Sequence, residues 1–167
     1  QVPKAPCPGS TTAGAAAIVW ASLVTRAGWP RCSNAFCALR RLPTPLVFDH
    51  LGHPPLPAGT AHSSHAIILS LIDKGRTWVK LSGAYSNTKI GPPDYPEATK
   101  IAQAFVRAAP ERLVWGSDWP HPGMPDNNKP DDALLFDLLA VWAPDEKIRN
   151  RILVNNPEAL YGFPKTA

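Results

Sequence analysis

Hydrophobic and polar positions along the chain fall into alternating short and long blocks. "PLVFDHLG" (45–52) is an apolar run of strand length, with Val47 and Phe48 suited to a pleated position buried on both faces. It stops at Gly52 and the Pro54-Pro55 pair. "SSHAIILSLIDKG" (63–75) then sets Ala66, Leu69, Ile72 and Asp73 at helical spacing, with Ser63 or Ser64 as N-cap and Gly75 as the stop. "TWVKLSG" (77–83) reads as a second strand ended by Gly83. "PEATKIAQAFVRAAP" (96–110) carries Ile101, Ala104, Phe105 and Ala108 at i, i+3, i+4 and i+7 between Pro96 and Pro110, the clearest helical pattern in the chain. "RLVWGSD" (112–118) is a third strand, and "DDALLFDLLAVWAP" and "DEKIRNRILVNNPEALYGF" supply closing helices. Strand and helix in alternation predict an α/β fold with a parallel sheet built from right-handed crossovers.

Three strand ends carry polar groups where the apolar run stops: Asp49-His50, Lys80 followed by Ser82, and Ser117-Asp118. A carboxylate withdrawn from water is costly unless it is paired or coordinated. Capping of the next loop or helix would explain any one of these. Three in succession favour a site, because parallel sheets bind ligands beyond the carboxyl ends of their strands.

Residues 1–42 differ in character. They are rich in Ala, Pro and Thr, with apolar residues but little amphipathic order. The run Ala15–Ala21 is too short to cross a membrane, and the Pro-rich start without a cleavage pattern argues against a signal peptide, so a cytoplasmic protein is expected. The 167 residues, 44% hydrophobic and 18% charged, suffice for one sizeable core. The net charge of +4 is spread along the chain, without the basic stripe that nucleic-acid binding uses. Cys7, Cys32 and Cys37 are an odd set without zinc-finger spacing and read as free thiols.

The segments "LVFDHLGHP", "TWVKLSGAY", "ERLVWGSDWPHP" and "NNPEALYGF", in this order and at these separations, carry a resemblance. From about residue 43 to about residue 164 the chain resembles the C-terminal portion of the amidohydrolase-related proteins. These are TIM-barrel hydrolases that include 2-pyrone-4,6-dicarboxylate lactonases and other lactonases. The resemblance implies about three to four βα units of a (β/α)8 barrel, preceded by an irregular N-terminal segment. With Asp118 ending strand eight, "LSG" belongs to strand seven and "DHLG" to strand six.

By the same resemblance Asp118 is the barrel-end aspartate and His50 the active-site histidine. In the lactonase branch the aspartate activates a water against the lactone carbonyl without an obligatory metal. In metal-using relatives the positions of Asp118 and His50 bind or support Zn²⁺ or Mn²⁺, as in a decarboxylase or hydratase of the superfamily. His121, Tyr85 and Ser82 are candidate substrate contacts. Dicarboxylate lactonases place an arginine soon after the segment matching Ser82–Tyr85, whereas here none follows until Arg107, which puts a pyrone dicarboxylate substrate in doubt; Lys80 is a substitute point charge unless strand alternation turns it away.

Other histidines are expected to be passive. His62 and His65 read as a solvated pair at a helix start, and His53 as loop surface. Leu160, Tyr161 and Phe163 are expected to dock the last turn, giving "NNPEALYGF" a structural value. The family's first-strand His-x-His pair occurs nowhere in the chain. A fragment without it is either completed by an N-terminal half-barrel or by self-association, or is a non-catalytic piece. Residues 31–38, "RCSNAFCA", replace the expected strand text. A one-step change of reading frame could restore Val-Gln-Gln-Arg-Leu-Leu-Arg, so frame-shifted translation and ordinary disorder are both open for this stretch.

Overall fold

In the computed structural model, residues 19–21, 39 and 41–163 are described. Four parallel strands form one sheet in the order β1 (Val19–Ala21), β2 (Leu46–Phe48), β3 (Thr77–Leu81) and β4 (Leu113–Trp115). The register aligns Val19 with Leu46, Leu46 with Thr77 and Val79 with Leu113. Helix α1 (Ser63–Ile72) joins β2 to β3, and α2 (Pro96–Ala108) joins β3 to β4. Beyond β4 come α3 (Asp132–Trp142), α4 (Glu146–Asn150), a π-turn segment (Arg151–Asn155) and α5 (Asn156–Tyr161). The expected α/β organisation and its three strands are therefore present. The difference is β1, three residues from the segment expected to be irregular. The proposed reading-frame change over residues 31–38 lies outside the described residues.

Alternation along the strands sends side chains to two separate clusters. Phe48, Val79, Leu81 and Leu113 face the helices and pack with Ile68, Ile101, Phe105 and Leu139. Val47, Trp78 and Val114 face the other way and are covered by Leu160, with Tyr161 against them. Strands buried on both faces read as continuous apolar runs, which is how "LVF" and "LVW" look in sequence. Leu160 and Tyr161 thus dock as expected, but Phe163 is 58% exposed, its ring set against that of Tyr161.

Helix α2 forms where the sequence predicts it, with Ile101 and Phe105 buried as expected, but Ala104 is only half-buried and Ala108 is exposed. Pro96 opens it, where a missing N–H costs nothing, and Ala98, Ile101, Ala102, Phe105 and Val106 form its buried stripe. In α1 the buried face is Ser64, His65, Ile68, Leu71 and Ile72, one position off the expected Ala66 and Leu69. Neither serine caps it: His62 does, its ring accepting from the Ser64 N–H at 3.2 Å. The solvated His62/His65 pair is therefore corrected, since His65 is buried against Phe105, with ring centroids 4.6 Å apart. Among the described residues no helix is long and apolar enough to cross a membrane.

Candidate functional site

The carboxyl ends of β2, β3 and β4 bring His50, Ser82, Tyr85 and Asp118 together. His50 Nδ1 lies 2.9 Å from Ser82 Oγ, and His50 Nε2 faces Asp118 Oδ1 at 3.7 Å. The Tyr85 hydroxyl donates to Asp118 Oδ2. His121 Nδ1 is 3.3 Å from the Tyr85 oxygen, and its Nε2 is 3.1 Å from Asp132 Oδ1. All five residues expected to form the site therefore belong to one continuous array.

The backbone is bent to aim these side chains. His50, Asp118 and His121 have φ of 50°, 66° and 55°, in the left-handed region that side chains with a Cβ rarely adopt. Such residues cost on the order of 1–3 kcal/mol each and gather where function needs a fixed direction. The turn after β3 fits closely beneath His50. A Cβ on Gly83 would come within 2.8 Å of His50 Nδ1, and buried Asn87 donates to the carbonyls of His50 and Gly83 at 2.9 and 3.2 Å.

Ser82 and His121 are buried, whereas the side chains of His50 and Asp118 keep 21% and 22% of their surface, enough to meet a small molecule. Burial, the Asp118 hydrogen bond and the charges of Asp118 and Asp132 push the Tyr85 phenol above its ordinary range, so it stays a proton donor. His53 is not the loop-surface residue expected. It is half-buried with its ring edge-on to His50 at 5.2 Å, and burial followed by the neighbouring His50 lowers its pKa. Lys80 reaches Asp49 at 2.8 Å, so its charge is already paired. Asp132, Asn87 and His53 were not read from the sequence as parts of the site.

A catalytic zinc takes three protein ligands and leaves one position open. Among the described residues no group of three His, Cys, Asp or Glu side chains is placed to hold a metal ion. His50 and Asp118 offer two donors, and the other His50 nitrogen is engaged by Ser82. The residues present do not fit a self-contained metal centre.

The amidohydrolase family pattern matches residues 33–163, which is most of the chain. This chain is an amidohydrolase family member. Over 120 residues it is 41% identical to the 4-sulfomuconolactone hydrolase of Rhizobium radiobacter, covering 71% of this chain and 40% of that protein. It is 39% identical over 124 residues to the D-galactarolactone isomerase of Agrobacterium fabrum (strain C58 / ATCC 33970), covering 74% of this chain and 42% of the relative. An apo crystal structure from Agrobacterium tumefaciens superimposes with a TM-score of 0.68 at 36% identity, over 80% of this chain and 47% of that one. The amidohydrolase chain thus spans about two-fifths of the length of these curated relatives.

Proposed function

We propose that this amidohydrolase chain is the acid–base half of a lactone-hydrolysing site at the mouth of a partial (β/α)8 barrel. One observation carries the reading: Asp118 has Oδ2 held by Tyr85 while Oδ1 faces His50 Nε2 at 3.7 Å, and both side chains remain partly exposed. The similarity to lactone-acting relatives supports it.

Asp118 Oδ1 takes a proton from water as the water oxygen bonds to the lactone carbonyl carbon. With Ser82 donating to Nδ1, His50 carries its proton on Nε2 and directs it at the developing oxyanion. The ring C–O bond then breaks, and the alkoxide takes the proton from Asp118, leaving a hydroxy acid and the original carboxylate. The substrate is a small lactone, and no step requires a cofactor. The chain spans about two-fifths of its lactone-acting relatives, and the strands and pocket walls of a further half-barrel, whatever its source, would complete the site.

The test is lactone hydrolysis by the full chain, alone and mixed with the N-terminal half of a relative, with and without chelator, beside Asp118→Asn. Turnover that the substitution reduces by roughly 10²–10⁴-fold supports the reading. Turnover lost to chelator points instead to the metal-dependent branch. No turnover from folded, soluble protein in any mixture overturns the proposal.

A further inference from the structure

Two adjacent aspartates at the start of α3 have different partners. Asp131 Oδ1 accepts from the Ala133 N–H at 2.8 Å and caps the helix. Asp132 turns its Oδ1 to His121 Nε2 at 3.1 Å. His121 is 2% exposed, and its backbone N–H donates to the Asp118 carbonyl at 2.7 Å.

The Tyr85 proton gives the array its direction at Asp118. The Asp118 carboxylate only accepts, so Tyr85 spends its single hydroxyl proton there. The phenol oxygen is then left to accept, and the His121 ring lies between that oxygen, 3.3 Å from Nδ1, and the Asp132 carboxylate, 3.1 Å from Nε2. The imidazole is clamped at both ends, and its orientation sets where the Tyr85 oxygen sits.

We infer that Asp132 is a positioning residue. Acting through His121 and Tyr85, it keeps Asp118 Oδ2 occupied and Oδ1 free toward His50. This rests on the reading of Asp118 as the base. A simple fastener for the loop between β4 and α3 would be redundant, because that loop has its own ties: Met124 N–H to the His121 carbonyl at 3.0 Å, and Lys129 Nζ to the Pro120 carbonyl at 2.6 Å.

The experiment compares Asp132→Ala, Asp132→Asn and Asp131→Ala in the full chain, in whichever mixture opens a lactone. Asp132→Ala is expected to lower kcat by on the order of 10- to 100-fold with KM changed by less than about twofold. Asp132→Asn, whose amide oxygen still accepts from Nε2, recovers most of that loss. Asp131→Ala removes the helix cap and lowers Tm while leaving kcat in place. Nitrogen-15 spectra of the His121 ring supply a readout independent of turnover: a ring signal that changes in Asp132→Ala and is restored in Asp132→Asn.

Equal loss of kcat in Asp131→Ala, or an unchanged ring spectrum in Asp132→Ala, overturns the inference. If no mixture opens a lactone yet the ring signal responds to Asp132→Ala and is restored in Asp132→Asn, the hydrolase reading falls and the clamp stands.

Discussion

Tyr85 and Asp118, 33 positions apart, share a hydrogen bond in which the phenol donates to one carboxylate oxygen. The bond divides Asp118 into a held oxygen and an open one, and only the open one faces His50. Because burial and the carboxylate keep the phenol protonated, the division persists across the neutral range.

Asp118→Asn is expected to abolish catalysis without unfolding the protein. Asn tolerates the left-handed backbone that Asp118 adopts at φ 66°, and its amide oxygen can still accept from Tyr85. What it cannot do is take a proton from water. Thermal melts should overlay within about 2 °C while kcat falls by roughly 10²–10⁴-fold; a large drop in Tm would assign Asp118 a structural role instead.

Gly83→Ala tests the fit under His50. The new Cβ would lie 2.8 Å from His50 Nδ1 and 3.0 Å from Cγ, at a φ of +58°. The ring must move, breaking its contact with Ser82, and the expected cost is about 1–3 kcal/mol of stability together with kcat/KM. Gly75→Ala is the matched control. It has a comparable φ of +81°, but its nearest neighbour is the end of Arg112 at 3.8 Å, so it should lose stability while keeping kcat/KM. Equal effects on kcat/KM would show that backbone strain, not the His50 contact, is responsible.

The strands and α2 were legible because burial on both faces writes a continuous apolar run and a one-sided helix writes a 3.6-residue stripe. His50 and Asp118 stood out as polar residues where such runs end. Asp132 did not, because "DD" before an apolar stretch reads as a helix start, and spacing alone cannot tell the aspartate that caps from the one that turns to His121. β1 is a three-residue edge strand whose place is set by pairing with β2 rather than by a pattern of its own. In α1 two serines suggested the cap, yet the His62 ring took it, which moved the buried face to His65.

That buried histidine predicts a pH dependence. Burial lowers the His65 pKa below its ordinary 6.5, and its Nε2 has no hydrogen-bond partner among the described residues. The unfolded chain binds a proton near pH 6.5 that the folded chain resists. The His65 contribution is therefore intact above pH 6.5 and is lost as pH falls from there through the lowered folded value. Urea melts at pH 8 and pH 5.5 should show the parent chain weakening more than His65→Leu. The comparison is needed because His53, lowered in the same direction, acts with the same sign in both proteins. Identical pH dependence in the two would remove His65 from the account.

Asn156 predicts a sharp difference between neighbouring asparagines. Its Nδ2 donates to the Pro110 carbonyl at 2.8 Å and to the Leu113 carbonyl at 2.6 Å, tying α5 to the entry of β4. The side chain is 5% exposed, so Asn156→Ala leaves these carbonyls without their donor in a place water reaches poorly. The expected loss is about 2–3 kcal/mol, or roughly 5–10 °C in Tm. Asn156→Asp should be worse, because a carboxylate has nothing to donate and would face two carbonyl oxygens. Asn155 is exposed, and Asn155→Ala should stay within about 0.5 kcal/mol of the parent chain. Melting curves for the three variants check the assignment: equal Tm for the two alanine substitutions would mean that α5 is held by Leu160 packing alone, and that the paired donation from Asn156 contributes nothing measurable.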